Sequence, residues 1–436
     1  METILIYFVF LSILVITLKK TAISLAILLN INLFRAIPYV NYKHPFYGYY
    51  NENDILLGAI LPILCFIIII LKIFWKKKKI KYHLDVFDVF MVLLGAIMVV
   101  SILVSPNKST SILYTGIFLI LGCPFYFVTK LFFFNSKNQK KDFLLFLGSL
   151  VFFGIIFSII SLYLHSIAKY PYERMTFPGV YPIPFCLFLC MSLIILILYQ
   201  IKPNFKTALS KRKKILFSLP ILCVIAFSII KTNTRGPVFA TILSFVFLLL
   251  MFFRIKLNTK IIMGFIFSFF MGLVVFVTAF DFNKIAVRFI NLVPKDADSL
   301  SPRILAYLDS IHLLFVRPWG ISVGTFGEFY YANSNNESGT YAHNVFMELI
   351  SSFGVIGLLL SFLIIYVCLH EYNFIIKNQK KIFSDNFLFI TICLFLFFFF
   401  EAQFSFTLNT HKGWYLTMAL YSVFKFKLLK NKYNEG

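Results

Sequence analysis

The feature that most constrains this chain is a series of long apolar runs separated by lysine clusters. The runs fall near 3–18, 21–38, 55–75, 84–104, 111–134, 143–165, 181–201, 215–231, 237–253, 261–280, 343–368, 385–400 and 414–424. Most have the length needed to cross a hydrocarbon core of about 30 Å. They are apolar on all faces, so no single amphipathic period accounts for them. With 60% hydrophobic and 14% charged residues, a water-soluble fold cannot hide this much apolar surface. The expectation is an all-α polytopic integral membrane protein of about 12 to 13 spanning helices. The runs at 21–38 and 414–424 are the weakest of the set.

The net charge of +23 does not indicate nucleic acid. The lysines lie between the runs, in every second connection. They are Lys19–Lys20, Lys76–Lys79 with Lys81, Lys137 with Lys140–Lys141, Lys211–Lys214, Arg254–Lys260, Lys377–Lys381 and the tail from Lys425. The positive-inside rule puts these in the cytoplasm, with an anionic lipid surface as sufficient partner. The alternate connections, 39–54, 105–110, 166–180, 232–236, 281–342 and 401–413, are then external. Met1 to Leu18 lacks a basic n-region and a small-residue cleavage site and is expected to be a retained first helix. The expected organisation is one integrated domain: a bundle over 1–280, a large external loop over 281–342 carrying a helix from Arg303 to Phe315, and further helices with a basic tail over 343–436.

Arginine follows a different rule from lysine. Of eight arginines, Arg35, Arg174, Arg235, Arg288, Arg303 and Arg317 lie in or beside external connections. Guanidinium keeps its charge and presents a planar fork suited to phosphate, so the cluster suggests an anionic ligand. Pairing with Glu173, Asp296, Asp298 and Asp309 is the competing explanation. The seven cysteines all sit in apolar runs and form no disulfide framework. Cys186 and Cys190 share a helix face, where thiols usually serve packing. Asp296 and Asp298 are two apart but are read as partners for arginine; no ligand-spaced His/Cys cluster points to a metal, and no Gly-rich loop points to a nucleotide cofactor. The mid-helix segments carry almost no charge.

Residues 343–357 read His-Asn-Val-Phe-Met-Glu-Leu-Ile-Ser-Ser-Phe-Gly-Val-Ile-Gly, at the outer mouth of an apolar run expected to be one long helix. Upstream stand Arg303, Tyr307, Pro318, Gly320, Gly324 and Phe326, and earlier the turn Thr234-Arg235-Gly236. This pattern resembles the O-antigen ligase and O-antigen polymerase superfamily, closely over about 230 to 360 and in topology over the whole chain. Thr234 stands where the family has serine. Taken alone, His343 would fit a helix-terminal residue bonded to backbone. Within the pattern, an imidazole that titrates near neutrality suits a general base. Gly354 and Gly357 are expected to admit a neighbouring helix. Glu348, about 140° round a continuous helix from His343, would be a poor partner for it. His312 is expected to be structural, and Glu401 and Gln403 to cap or pair at a helix end.

The resemblance implies a metal-independent glycan transferase in the bacterial plasma membrane, with its site facing the periplasm or exterior. Its donor would be an undecaprenyl-diphosphate-linked glycan and its acceptor a sugar hydroxyl or the lipid A core. A flippase or chain-length regulator would be a partner, in O-antigen or capsule synthesis. The catalytic set would be His343, Arg303 and Arg235, with Arg288, Arg317, Asn344 and Tyr307 binding substrate. Polymerase and ligase activities both fit these residues. A lipid-linked oligosaccharide transporter is the reading from another class, and it would call for inverted repeats and mid-membrane ionisable groups.

Overall fold

A computed structural model describes residues 2–39, 56–76, 79–167, 174–201, 211–252, 301–327, 342–404, 407–408 and 411–434. The expected span at 261–280 and Arg288 lie outside the described residues. The first helices are α1 (Glu2–Lys19), α2 (Thr21–Leu29) and α3 (Ile31–Ala36). Next come α4 (Leu61–Lys76), α5 (Val86–Ser101), α6 (Lys108–Ile117) and α7 (Cys123–Asn135), the last two joined by a π-turn into one helix. Then follow α8 (Gln139–Ile167), α9 (Pro182–Ile201), α10 (Lys211–Thr232) and α11 (Arg235–Phe252). After the undescribed stretch come α12 (Ser301–Val316), α13 (Val345–Phe353), α14 (Val355–Lys377), α15 (Gln379–Ser384), α16 (Asn386–Glu401) and α17 (Lys412–Asn434). No strand occurs among the described residues.

Six of the described helices are long and apolar enough to cross a membrane: Leu56–Trp75, Val86–Val104, Lys108–Asn135, Gln139–Ile167, Pro182–Ile201 and Val355–Lys377. Five shorter apolar helices accompany them, including Ile4–Lys19, Arg235–Met251 and Asn386–Glu401. The chain is an all-α, multi-pass membrane protein. Its outward faces carry exposed Phe8, Leu11, Leu71, Val92 and Leu359, side chains that only lipid would cover at no cost.

The two weakest runs are the most enclosed. α2 buries Leu25, Ala26, Ile27 and Leu28 almost completely. α17 buries nearly every side chain from Trp414 to Phe424. Their polar residues lower the hydropathy because they face protein rather than lipid. Two of the expected runs are broken. The run 21–38 is interrupted at Asn30, and the run 343–368 is split at Gly354 into a short helix and a spanning one. The second break corrects the expected continuous helix.

Charge also lies deeper than the sequence suggests. Lys72 donates to the carbonyls of Thr17 at 3.0 Å and Leu18 at 2.8 Å, closing the α1–α2 hairpin. Lys130 is fully buried, 2.5 Å from Asp88 Oδ2 and 3.1 Å from Asp85 Oδ2. Tyr82 donates to Asp88 at 2.5 Å, and Ser422 of α17 donates to Asp85. Lys425 and Tyr421 both bond Glu371, each at 2.6 Å. These networks tie α17 to α5, α7 and α14 near the lysine-rich end. A buried cation with matched acids is costly to create, and more costly to leave half-made. Lys130→Met is therefore expected to lose about 3–5 kcal/mol. Thermal unfolding in detergent, compared with the conservative Lys130→Arg, measures this.

Candidate active site

The segments that the lysine pattern leaves lysine-poor meet at the opposite end of the bundle. Ser322 Oγ lies 2.8 Å from Ser101 Oγ of α5, and Ser111 Oγ of α6 donates to Val323 O at 3.3 Å. Met175 N donates to Lys231 O at 2.9 Å, setting Arg174 beside the turn that precedes Arg235.

The centre of this end is a strand-like exchange of backbone hydrogen bonds between 318–322 and 351–355. Ile321 N donates to Ser351 O at 3.0 Å, Ser322 N to Ser352 O at 2.8 Å, and Val355 N to Pro318 O at 2.8 Å. Glycines make the approach possible. A Cβ on Gly354 would stand 1.9 Å from Pro318 O, and one on Gly320 2.3 Å from Ser352 O. Both also have positive φ, at +58° and +79°, which favours glycine. A Cβ on Gly357 would stand 1.8 Å from Leu349 O, so this glycine lets α13 fold back on the start of α14. The expected neighbour of Gly354 and Gly357 was another helix. Gly357 does meet a helix, α13, whereas Gly354 meets the backbone of the 318–320 loop.

α13 begins at Asn344. The Asn344 side chain accepts from Phe346 N at 2.9 Å and Met347 N at 3.3 Å, an N-cap that satisfies donors the helix leaves open. Its amide nitrogen donates to Gln403 Oε1 at 3.1 Å, and Val345 N donates to Ala402 O at 3.0 Å. His343 precedes the cap with φ +53°, a left-handed conformation uncommon outside glycine. It is therefore not on the helix at all, and its half-buried ring is aimed by the turn and not by helical spacing.

The other expected site residues divide. α12 packs on α13 through Ala306, Leu313 and Met347. Tyr307 is half-buried next to that contact, and Arg303 lies one turn nearer the start of the helix. The Arg303 side chain lies outside the described residues. Arg317, at the end of α12, is exposed, as is His312. Arg235 is the first residue of α11, just after Thr234, whose hydroxyl lies 2.9 Å from that of Thr232. One turn on, Phe239 packs on Phe404 at 6.4 Å, in the turn that holds Asn344 and Val345. Arg235, His343 and Asn344 thus gather around 401–404, and Tyr307 lies on α12, which packs on α13.

Gln403, Glu348 and His411 were not assigned to this site from the sequence. Glu348 is buried and accepts from Leu408 N at 3.0 Å. Burial pushes its carboxyl up to about 8. His411 is buried against Trp414 and Tyr415, and burial holds it well below the usual imidazole range. The angular argument that set Glu348 aside assumed a continuous helix through His343 and does not apply. Only the apolar positions flanking Glu348 hinted at its burial.

Residues 220–362 match the model of a family described as O-Antigen ligase. Over that segment the chain is similar to this family, which supports the resemblance to the O-antigen ligase and polymerase superfamily. The matched segment takes in α11, α12, α13, the paired glycines and the His-Asn cap. No curated protein and no solved structure shows significant similarity to the chain.

Glu348 gives this end a pH signature. An acid whose pKa rises from 4.5 to about 8 on folding binds more protons when folded. Its contribution is intact below the lower value and is lost as pH climbs through the interval. Wild-type thermal stability should fall across that window. Glu348→Gln, which keeps an acceptor without the charge, should flatten the fall and raise the unfolding midpoint at pH 8.

Proposed function

We propose that the protein is a polymerase that transfers a glycan from an undecaprenyl diphosphate carrier to a sugar hydroxyl, on the periplasmic or outer face of the bacterial plasma membrane. The observation that carries this reading is His343. It stands in a left-handed turn, fixed from behind by the Asn344 cap and Gln403, at the same end as Arg235 and α12. Strained backbone of this kind is held only where the surroundings enforce it.

In the proposed reaction the bond between the anomeric carbon and the diphosphate oxygen breaks. The acceptor oxygen bonds to that carbon, and its proton passes to His343. Negative charge grows on the leaving diphosphate, and Arg235 and Arg303 are assigned the role of the stabilising cations. Arg317, Arg288 and Tyr307 serve substrate binding, and Asn344 positions the histidine turn. No metal has a part in this scheme. The scarcity of lysine clusters at the site end and their presence at the other support the outward orientation. A ligase acting on the lipid A core would use the same residues.

His343→Ala and Arg303→Ala should each lower glycan transfer in membranes by about 10² to 10⁴, with insertion and unfolding midpoint unchanged. Normal transfer by both variants would overturn the site. Deletion of the gene in its host separates the activities. Core carrying single repeats marks a polymerase, and finished polymer left on the carrier marks a ligase.

A further inference from the structure

His343 stands just before a short helix, so its ring goes where α13 goes. The two ends of α13 are fixed. At the start, Asn344 Nδ2 donates to Gln403 Oε1 at 3.1 Å and Val345 N to Ala402 O at 3.0 Å. At the far end, Val355 N donates to Pro318 O across the Gly354 turn. What remains is how the helix is rolled about its own axis, and a bond from its side sets a roll. One turn on from Asn344, Leu408 N donates to Glu348 Oε2 at 3.0 Å. The same connection that carries Ala402 and Gln403 is thus bonded to α13 a second time, through a side chain.

Leu408 is held from its other side as well. Tyr415 of α17 donates its hydroxyl to Leu408 O at 2.5 Å. Leu408 is fully buried, so its backbone groups must find their partners in protein. The anchor behind it is firm. The buried Tyr415 ring packs edge-on against Phe118 at 5.5 Å. A Cβ on Gly122 would stand 3.2 Å from that ring. Phe118–Gly122 is the π-turn between α6 and α7, a widened turn of a kind frequent at functional sites. A line of contacts therefore runs from the π-turn through Tyr415, Leu408 and Glu348 to the helix that follows His343. Burying a carboxyl is costly, and an apolar residue would fill the space more cheaply. The bond to Leu408 is what Glu348 supplies in return.

We propose that Glu348 and Tyr415 are positioning residues, which grip Leu408 from either side and so hold α13, and with it His343, in register for proton transfer. The proposal rests on the reading of His343 as the base. Neither residue meets substrate in this scheme; both act through Leu408. A displacement of about 1 Å at a reacting group costs about 10²-fold in rate. The role asks of Glu348 an acceptor and not a charge. Burial pushes its carboxyl up to about 8, so it is a neutral acid at pH 7 and glutamine is its close mimic.

The test uses the full chain in phosphatidylcholine nanodiscs, with carrier-linked glycan extracted from the deletion host as donor. Glu348→Leu and Tyr415→Phe should each lower kcat by about ten- to a hundred-fold and leave KM for the donor within about two-fold. Glu348→Gln should keep kcat within about two-fold of wild type. The double variant Glu348→Leu/Tyr415→Phe should fall no further than the worse single one, because Leu408 is the shared partner. Hydrogen exchange supplies a readout independent of activity. In both single variants the peptides containing Val345 and Leu408 should exchange faster, with the rest of the bundle unchanged. Three results overturn the proposal: unchanged kcat in Glu348→Leu, loss in Glu348→Gln equal to that in Glu348→Leu, or faster exchange spread over the whole bundle. His343→Ala, run alongside, separates the two readings. If it transfers normally, the catalytic reading falls and takes this proposal with it. If it is inactive while Glu348→Leu keeps wild-type kcat, the positioning role alone falls.

Discussion

The site end depends on the backbone pairing between 318–322 and 351–355. Within a membrane protein, non-helical backbone survives only where its polar groups find partners in protein. Here the 318–322 loop and the turn around Gly354 supply each other's partners, at distances of 2.8 to 3.0 Å. That mutual satisfaction lets a helical run be cut in two close to the membrane. The cut frees α13 to turn its N-terminus toward the 401–404 turn. Without it, His343 would be one more residue at the top of a long helix.

The cap is the second consequence. Asn344 serves two elements at once, with its oxygen toward the first turn of α13 and its nitrogen toward Gln403. His343 is therefore held by the junction of α13 with the end of α16. Arg235 reaches the same junction by another route, since its helix packs on α16 through Phe239 and Phe404. Elements far apart in sequence meet because each touches the same short turn. The opposite end is built on a different principle. There the buried acids Asp85, Asp88 and Glu371 face Lys130 and Lys425, and the charges cancel within protein. Cation and acid are matched at one end. At the other stand Arg235 and Arg317, the cations proposed to meet an anionic substrate.

Much of this was legible in the sequence. The apolar runs and the alternation of lysine clusters determine the helical class, the positions of most helices and the sorting of connections between two ends, because insertion into lipid acts on local hydropathy and charge. The spacing of His343, Asn344, Gly354 and Gly357 with Arg235, Arg303 and Gly320 carries the resemblance to the superfamily. The tertiary structure alone decided what those residues do. Hydropathy could not reveal that the run 343–368 is broken, because both halves are apolar and the break is made by a loop some thirty residues upstream. It could not reveal that α2 and α17 are central, because a helix enclosed by protein can carry polar residues that one facing lipid cannot. Nor could it tell a paired lysine from an unpaired one. Lys130 and Lys412 look alike along the chain, and only the arrangement of neighbours in space gives one its aspartates and sets the other over the Phe125 ring.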